Sequence, residues 1–440
     1  MKFQITTLGC KVNQFESDAI AQALESHGWQ RAEEDDQAEV CIVNTCTVTG
    51  KASMQSRQMI RQFMRRAPGA RIIVTGCYAQ TAPEEIEKIG GVDYIVGHFD
   101  KSEIPRLILE SFSNPPRQTQ RRVRNIQPTE RFRLPPAPAY GRRTRPYLKI
   151  QDGCNRFCTY CIVPHARGPS RSMPFETVLD YLDDLGRRGY REVVLTGIHL
   201  GAYGQDLDPP TGLIGLLLEI EARRPLRRLR LSSIEPDEGD HTLVHLPASS
   251  RMACPHLHLP MQSGDDRILA RMHRPYSRIA FAQTVARIQS AMPQCAIGAD
   301  ILVGFPGEDE AAFERTLELV ADVPLAYLHV FPFSPRPGTP AYHFPDRVPE
   351  ATVKRRSATL RKLGQEKKRA FVQAHMTFSH QVLVENQRDR RTGWLKGLTA
   401  NYIPTLIEGD DRLMNRIVTI EPQKVLSDGR LQGRITHLNT

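Results

Sequence analysis

The sequence predicts an α/β protein with three domains and one linker. From residue 1 to about 114, and again from 146 to 366, short apolar strands alternate with amphipathic helices, as in parallel sheets. Residues 367–440 instead contain short β-rich runs divided by Gly, Asn and Asp. We therefore expect an N-terminal doubly wound parallel sheet, a central partial barrel of six βα units, and a small C-terminal antiparallel β-barrel. Residues 115–145, rich in Pro, Arg and Gln, are predicted as the linker.

Composition and charge indicate a globular protein with a polyanionic partner. The 440 residues are 40% hydrophobic and 25% charged, and the net charge is +10. No apolar run approaches the length of about 20 residues that spans a membrane. Residues 115–145 contain nine Arg and one acidic residue, and residues 354–369 contain eight Lys or Arg and one acidic residue. A solvated basic face is the alternative, but two such segments beside one central domain favour RNA.

The N-terminal domain is predicted from alternating strands and helices. Strands are expected at Phe3–Leu8, Val40–Val43, Ile72–Thr75 and Tyr94–Val96, and helices at Glu16–Ser26, Ser53–Arg66 and Glu84–Ile89. The first residues run straight into a strand and have no transit-peptide character. We therefore expect the protein to work in the cytoplasm.

Three of these strands are each followed by a cysteine: Cys10, Cys46 and Cys77. Ligands of an open parallel sheet bind beyond the carboxyl ends of its strands, and neighbouring strands lie about 5 Å apart, so the three thiols should converge. Gly9 and Gly76 would let the backbone pass close to a bulky group. Soft thiolates suit an iron–sulfur cluster. A single cysteine at such a place is more often a small buried apolar residue.

The strictest motif of the chain opens the central domain. Cys154, Cys158 and Cys161 are spaced C-x3-C-x2-C, directly after the apolar segment 147–150. A loop this tight can place three thiolates around one corner of a cubic iron–sulfur cluster. Three protein ligands on four irons leave one iron open, which is where chemistry can occur.

Other uses of the cysteines are weaker. A structural zinc site could recruit His165 as the fourth ligand, but zinc sites usually combine two separated pairs of ligands. Disulfides are disfavoured because the nine cysteines are an odd number and no signal peptide is found. We expect Cys41, Cys254 and Cys295 to be packing residues.

The cysteine motif resembles that of the radical S-adenosylmethionine (SAM) enzymes. Phe157 and Tyr160 resemble the aromatic residues that flank the cysteines of this superfamily. The resemblance implies a partial barrel, a 4Fe-4S cluster whose free iron is chelated by SAM, and reductive cleavage of SAM to a 5′-deoxyadenosyl radical. It also implies cofactor contacts at the ends of the barrel strands.

The barrel strands are predicted at Leu148–Ile150, Glu192–Thr196, Arg228–Ser232, His256–Leu259, Ala296–Val303 and Tyr327–Phe331. Polar or Gly-rich residues at their ends resemble the SAM-contact motifs of the superfamily: Thr196, Gly197, Ser232, Glu235, Gln262 and Asp300. For Arg271, His273 and Arg274, catalytic, structural and RNA-facing roles all stay open.

The C-terminal domain is predicted from strands at Phe378–Val384, Gly393–Leu398, Ile403–Ile407, Ile417–Ile420 and Leu431–Ile435. It resembles the TRAM domain, an OB-like RNA-binding module, most closely at residues 397–403. A stabilising cap without RNA contact is the alternative, because OB-like barrels have varied functions.

The combination of these domains resembles the methylthiotransferases, which insert sulfur into a C–H bond and methylate it. Residues 8–17 and 151–172 resemble the branch that modifies N6-threonylcarbamoyladenosine in tRNA. The resemblance implies two 4Fe-4S clusters, catalytic roles for the six cysteines named above, two molecules of SAM, and methylthiolation of adenosine 37 at C2 beside the anticodon. It further implies an electron donor such as flavodoxin or ferredoxin, and leaves the sulfur source unknown.

Two other functions stay open. A sibling methylthiotransferase would act on isopentenyladenosine in tRNA or on a ribosomal protein, but the basic linker and the residues after Cys10 disfavour it. An RNA-binding iron–sulfur sensor without catalysis is the alternative of another class. Sensing requires neither two open clusters nor SAM-type strand ends.

Overall fold

The computed structural model describes residues 1–33, 37–114, 116–127, 129–135, 142–238 and 248–439. The strands of the N-terminal part are β1 (Lys2–Thr7), β2 (Gln30–Arg31), β3 (Val40–Thr45), β4 (Arg71–Gly76), β5 (Tyr94–Val96) and β6 (Gln120–Arg122). Its helices are α1 (Lys11–Ser26), α2 (Gly50–Arg66), α3 (Cys77–Thr81), α4 (Pro83–Glu87) and α5 (Ile104–Ser113). The sheet order is β2-β1-β3-β4-β5-β6, and every pair is parallel.

Helices cover both faces of this sheet. Ile42 packs in one apolar cluster with Ile20 of α1 and Ile108 of α5. The next residue, Val43, packs in a second cluster with Ile60 of α2. A strand whose consecutive residues are both buried must be covered on both sides, which is the doubly wound arrangement that the sequence predicts. The strand order reverses between β1 and β3, so this is the position where ligands bind in such sheets.

The strand β6 was not expected, because it lies in the predicted linker. It pairs in parallel with β5 through backbone hydrogen bonds, from Tyr94 opposite Gln120 to Val96 opposite Arg122. Its sequence, Gln-Arg-Arg, has no apolar side chain and therefore no strand pattern that could be recognised. Of the remaining linker, residues 115, 128 and 136–141 lie outside the described residues.

The central part begins with β7 (Tyr147–Lys149) and the antiparallel pair β8 (Gln151–Asp152) and β9 (Arg171–Ser172), and continues with β10 (Glu192–Thr196), β11 (Arg228–Leu231), β12 (His256–Gln262), β13 (Ala296–Val303) and β14 (Tyr327–Pro332). The strands β11-β10-β7 and β12-β13-β14 are parallel neighbours. A parallel bridge between Leu229 and Ala253 joins the two groups. Six parallel strands thus form the predicted partial barrel.

The helices of the central part are α6 (Val163–Arg167), α7 (Phe175–Arg187), α8 (Gly212–Arg223), α9 (Asp266–Arg271), α10 (Arg278–Ala291), α11 (Glu310–Asp322) and α12 (Glu350–Ala374). Three of them begin at a side-chain cap. Asp265, Ser277 and Asp309 accept hydrogen bonds from backbone N–H groups three residues later, which satisfies donors that the helix leaves unpaired.

Side chains alternate across the barrel wall. Leu229 and Leu231 of β11 pack beneath the helices in the largest apolar cluster. Arg230 and Ser232 between and after them therefore face the barrel interior. The same alternation directs His258 and Asp300 inward, since Leu257, Leu259, Ala299 and Ile301 belong to that outer cluster.

The C-terminal part is a closed barrel of β15 (His380–Arg388), β16 (Leu395–Thr399), β17 (Pro404–Ile407), β18 (Ile417–Val425) and β19 (Leu431–Asn439). Its order is β15-β16-β17-β19-β18, and β18 closes onto β15. The pairs are antiparallel as predicted, except that β17 and β19 are parallel. The domain boundary predicted at 366 lies inside α12, because no residue near it interrupts the helix. None of the described helices combines the length and the apolar character that a membrane crossing requires.

Candidate active site

Three cysteines lie at one edge of the N-terminal sheet. Cys10 precedes α1, Cys46 follows β3, and Cys77 opens α3 after β4. A Cβ atom on Gly9 would lie 2.9 Å from the Cys46 Sγ, and one on Gly76 would lie 2.3 Å from the Thr45 carbonyl oxygen. Both glycines have φ of +99°, so these close approaches require glycine. Since β1, β3 and β4 are neighbours in the parallel sheet, the three cysteines that follow them lie side by side at this edge.

The thiols of Cys46 and Cys77 are buried, and polar side chains lie beside them. Burial raises the pKa of Cys77 to about 12, although the nearby Arg167 guanidinium lowers it. Burial likewise raises the pKa of Cys46. The His98 Nε2 lies 3.3 Å from the Cys77 Sγ. Without a metal the two thiols are protonated, so binding as thiolates displaces their protons.

The second set of cysteines lies on the loop after β8, at the carboxyl end of the barrel. The Cys154 N–H donates to the Gly168 carbonyl (3.1 Å), and the Cys161 N–H donates to the Cys158 carbonyl (2.9 Å). The Thr159 hydroxyl donates to the Arg271 carbonyl (2.9 Å), which fixes the loop to the end of α9. These bonds hold the loop in one conformation without using any thiol.

Arg274, whose role the sequence left open, belongs to this site. Its guanidinium is buried, donates to the Cys158 Sγ (3.4 Å) and forms an ion pair with Glu235. Its Nε donates to the Tyr276 hydroxyl (3.0 Å). The residue therefore joins the cysteine loop to the end of β11. No isolated pattern in the sequence points to this role, since Arg274 is 113 residues beyond Cys161 in the chain.

A second charged group holds Cys154. The His199 Nδ1 lies 4.0 Å from the Cys154 Sγ, and its Nε2 contacts Glu238. Burial lowers the pKa of His199, but the hydrogen bonds with Cys154 and Glu238 outweigh it and raise the pKa to about 9. Arg156 donates from Nη2 to the Asp237 carboxylate (2.7 Å) on the same side.

A zinc ion would need a fourth ligand beside three thiols, and His165 is the residue that the sequence offers for the second set. Within the described ranges, a group of three His, Cys, Asp or Glu ligand atoms within 4.8 Å of one another occurs at His258, Asp300 and His329. His165, the candidate zinc ligand, packs edge-on against Phe157.

Several residues predicted to contact SAM lie at the barrel mouth beside this loop. Thr196 and Ser232 are buried at the ends of neighbouring strands. The Ser232 hydroxyl has no hydrogen-bond partner within the described residues, and a buried polar group without a partner indicates a ligand or water there. The Phe157 ring is 56% exposed, on a backbone with φ of +48°. Gly197 approaches the Gln151 side chain closely.

The other predicted cofactor contacts have different surroundings. Tyr160 is half-buried and packs edge-on against Phe305. Gln262 ends β12 with φ of +63°. Asp300 accepts from His258 (2.8 Å) and His329 (3.1 Å) inside the barrel.

Arg167 connects the N-terminal sheet to the barrel. It is 1% exposed and donates to Asn13 Oδ1 (2.6 Å) and Glu16 Oε1 (3.0 Å) of α1, and to Asp152 Oδ1 (2.7 Å) of β8. Since Asn13 follows Cys10 by three residues and Asp152 precedes Cys154 by two, this one side chain fixes the two cysteine sets relative to each other.

Two lysines complete this buried network. Lys149 donates to Glu16 Oε1 (2.9 Å) and Asp152 Oδ2 (3.1 Å), and Lys101 forms an ion pair with Glu16. Burial raises the pKa of Glu16, but Arg167 and the two lysines outweigh it and keep the pKa well below its usual value. Sequence reasoning missed this network. One sequence signal could have revealed it: Asn13 and Glu16 lie on the apolar, core-facing stripe of α1 although both are polar.

The N-terminal sheet and the barrel are separated by a gap beside the cysteines, and a further contact joins them on the side opposite Arg167. The Arg336 Nη2 donates to the hydroxyls of Thr47 (2.9 Å) and Ser53 (3.1 Å), and the Ser334 hydroxyl accepts from the Gly50 N–H (2.9 Å). The loop after β14 is thereby bonded to the segment that follows Cys46. The barrel and the N-terminal sheet thus meet on both sides of the cysteines.

The basic segment within α12 is only partly a solvated surface. In α12, Arg356 is buried against Glu308, and Lys367 donates to backbone carbonyls. Lys354 and Lys362 are exposed and have no hydrogen-bond or ion-pair partner within the described residues. Part of the predicted basic surface therefore stabilises the fold, and part is available to a polyanion.

Comparison with known proteins gives two family matches. The model described as "Uncharacterized protein family UPF0004" matches residues 2–97, and the model of the radical SAM superfamily matches residues 148–320. The chain also resembles the solved radical S-adenosylmethionine methyltransferase TsrM from Kitasatospora setae, with cobalamin and an iron–sulfur cluster bound. The TM-score is 0.56 at 17% identity, over 77% of this chain and 76% of that one. This likeness shows the fold alone.

Relatives match over nearly the whole length. The chain is 37% identical to the threonylcarbamoyladenosine tRNA methylthiotransferase MtaB of Bacillus subtilis (strain 168), over 96% of this chain and 93% of the relative. It is 37% identical to the MtaB of Aquifex aeolicus (strain VF5), over 93% and 97%. It is 33% identical to the tRNA-2-methylthio-N(6)-dimethylallyladenosine synthase of Carboxydothermus hydrogenoformans, over 98% and 97%. The chain belongs to the radical SAM family of tRNA methylthiotransferases.

Proposed function

We propose that this enzyme methylthiolates C2 of N6-threonylcarbamoyladenosine 37 in tRNA, beside the anticodon. The observation that carries the proposal is the pair of three-cysteine sets, which two domains present to one gap and which the buried Arg167 network holds in place. The identity of the base is supported by the relatives named MtaB, which are 34–37% identical to this chain.

The ligands of the two 4Fe-4S clusters are part of the proposal. Cys154, Cys158 and Cys161 would hold the cluster that binds SAM, and the strand-end cysteines of the N-terminal sheet would hold the second. Each set offers three soft donors on one short loop or sheet edge, which suits a cluster with one open iron. When bound, the clusters and SAM would supply the electron, the radical and the methyl group that substitution of C2–H requires.

The side chains around the clusters have separate tasks. Arg274 donates to the Cys158 Sγ and pairs with Glu235, and thereby orients the loop against the end of β11. His199, charged at neutral pH, lies against the Cys154 Sγ. Charged donors near a coordinating sulfur adjust its electron density. Ser232, with its unpartnered hydroxyl, is suited to hydrogen-bond SAM.

The target base has to leave its stack to reach the gap between the two domains. Single-stranded loops are where proteins read RNA bases, and exposed aromatic rings stack on them. Phe157 at the mouth of the gap has such a ring. The exposed cations of α12 and of the linker, with the C-terminal barrel, would hold the anticodon stem-loop by its phosphates.

Partners other than tRNA are inferred from the chemistry. Reduction of the clusters requires an electron donor, and a small protein such as flavodoxin or ferredoxin is of the class that provides one. The sulfur source stays unassigned. We place the reaction in the cytoplasm, because the proposed substrate is tRNA.

The test is nucleoside analysis of tRNA by mass spectrometry. The gene, or a copy with Cys46→Ala, is expressed in cells that lack their own enzyme for this base. The wild-type gene should convert N6-threonylcarbamoyladenosine to its 2-methylthio form, and the variant should leave it unconverted. Methylthiolation of isopentenyladenosine instead would assign the dimethylallyl-type reaction, and no change in either nucleoside would contradict a tRNA substrate.

A further inference from the structure

The interior of the central barrel carries a polar group that the proposed chemistry does not use. Asp300, midway along β13, accepts from His258 and His329 on the two neighbouring strands. The side chain of His329 is 53% exposed although it lies on the inner face of β14, so the interior is open on this side. Below this level the barrel is closed, because Tyr402 of the C-terminal domain stacks on His256 at 4.2 Å.

Lys11 of the N-terminal domain lies near the same interior. It is the residue after Cys10 and the first of α1, and it is half-buried within electrostatic range of Asp300, Arg230 and Arg145. Its ammonium has no hydrogen-bond or ion-pair partner anywhere in the described part of the chain. A partly desolvated cation without a partner is unfavourable unless an anion binds there.

The charges at this place select against a metal ion. Two histidines and one carboxylate are a ligand set that iron or zinc can use, and their ligand atoms lie within 4.8 Å of one another. Both histidines, however, already bond the same oxygen of Asp300. The neighbouring Lys11 and Arg230 are cationic, and their repulsion disfavours a further cation. The interior is suited to an anion that also has polar groups.

We propose that this interior binds the N6 substituent of the target adenosine. Lys11 would pair with the carboxylate of the threonyl group, and Asp300 and His329 would bond its hydroxyl and carbamoyl groups. This inference rests on the proposed function, and it makes Lys11 a residue that determines specificity. An isopentenyl group has neither a charge nor a polar atom and would leave these side chains unpaired, which costs binding energy.

The position of Lys11 suits this role. The adenine ring carries its N6 substituent and its C2 hydrogen on carbons that flank the same ring nitrogen. A base whose C2 points to the gap between the cysteine sets directs its substituent to one side of that gap. Lys11 is bonded directly to Cys10, so it lies at the border between the gap and the barrel interior.

The experiment compares anticodon stem-loops that differ in one charge. One contains N6-threonylcarbamoyladenosine, and the other contains its methyl ester, which lacks the carboxylate charge. Full-length protein with reconstituted clusters is titrated with each, as wild type and as Lys11→Met, Lys11→Arg and Lys88→Met. Lys88 is an exposed lysine on the N-terminal domain and serves as the control.

Wild type and the Lys88 variant should bind the acid about ten-fold or more tightly than the ester, the effect of one charge-assisted hydrogen bond. Lys11→Met should bind both alike, and Lys11→Arg should recover part of the preference. Equal binding of acid and ester by wild type, or a preference kept by Lys11→Met, would overturn the subsite.

Methylthiolation is measured on the same samples. Conversion of the acid without a preference in binding rejects only the subsite, whereas conversion of an isopentenyladenosine stem-loop alone rejects the proposed function as well.

Discussion

Single residues divide into those that would bind a cluster and those that position the cysteines. Burial raises the pKa of Cys161 and of Cys77 to about 12, so both thiols are neutral until a metal displaces the proton. Arg274 and His199 approach the first set with a positive charge, and Arg167 approaches the second. Positive charge beside each set would favour a bound, negatively charged cluster.

Replacement of Cys154 should remove radical chemistry. We expect Cys154→Ala to lose one ligand of the SAM-binding cluster and to form no 5′-deoxyadenosine after reduction with dithionite, measured by chromatography. Iron content should fall from about eight atoms per chain to about four. Cys295→Ala, a buried cysteine outside both sets, is the matched control and should keep both values. Undiminished cleavage of SAM by Cys154→Ala would refute the assignment of this loop.

Replacement of Cys46 should separate the two clusters. Cys46→Ala removes a ligand of the second set only, so reductive cleavage of SAM should continue while methylthiolation of the RNA stops. The measurement is 5′-deoxyadenosine and modified nucleoside from the same reaction. Cys41→Ala, on the strand that precedes Cys46 and fully buried, controls for a packing defect. If Cys46→Ala still thiolates its RNA, the second cluster is elsewhere.

At the scale of elements, α1, α6 and β8 act as one unit through the buried network of Arg167. The five charged side chains of this network are nearly inaccessible to solvent, and each lies within 3.1 Å of an opposite charge. Buried pairs of this kind contribute little net stability when intact, but removal of one partner leaves the other charge uncompensated.

Arg167→Met should destabilise the protein by about 1–3 kcal/mol, because Asn13, Glu16 and Asp152 lose a shared buried hydrogen-bond donor while Lys149 still pairs with both carboxylates. The free energy of unfolding is measured by urea titration of the cluster-free protein. Arg187→Met, at an arginine that is 75% exposed, should change it by less than about 0.5 kcal/mol. An effect of Arg167→Met no larger than that of the control would show that the network does not hold the domains together.

Elements with strong periodicity could be predicted, and those without it could not. The strands at Glu192–Thr196 and Ala296–Val303 have the predicted bounds, since each is a mostly apolar run beside a helix pattern. The strand Gln120–Arg122 is charged and is added to the sheet only through backbone pairing. The Arg167 network joins residues 151 positions apart, and no local pattern relates them. The two cysteine sets could be proposed from their spacing and from their positions after strands, whereas Arg274 and Arg336 meet the site only through the fold.

At the scale of the whole molecule, three domains contribute to one gap. The N-terminal sheet and the barrel meet on both sides of the cysteines, through Arg167 and through Arg336. The C-terminal barrel closes the lower end of the central one, where the Arg230 Nη1 donates to the Ala400 carbonyl (3.0 Å). A gap enclosed in this way keeps reactive species from water and leaves an entry for RNA.

Binding of tRNA should depend on salt and on the exposed lysines of α12. We expect the dissociation constant for an anticodon stem-loop to rise at least about ten-fold between about 50 and 200 mM salt. Replacing Lys354 and Lys362 by Ala should weaken binding and reduce the salt slope by about one for each lysine. Lys88→Ala is the control for an exposed lysine elsewhere. An unchanged salt slope in the double variant would exclude α12 from the RNA-binding surface.

The most direct test of the account is a reaction of the purified enzyme with two stem-loops. The full chain, with both clusters reconstituted, is mixed with SAM, dithionite, and stem-loops that contain either N6-threonylcarbamoyladenosine or isopentenyladenosine. Nucleosides are then analysed by mass spectrometry. We expect the first stem-loop to gain a 2-methylthio group and the second to stay unmodified. Modification of the second alone, or of neither while SAM is still cleaved, would contradict it.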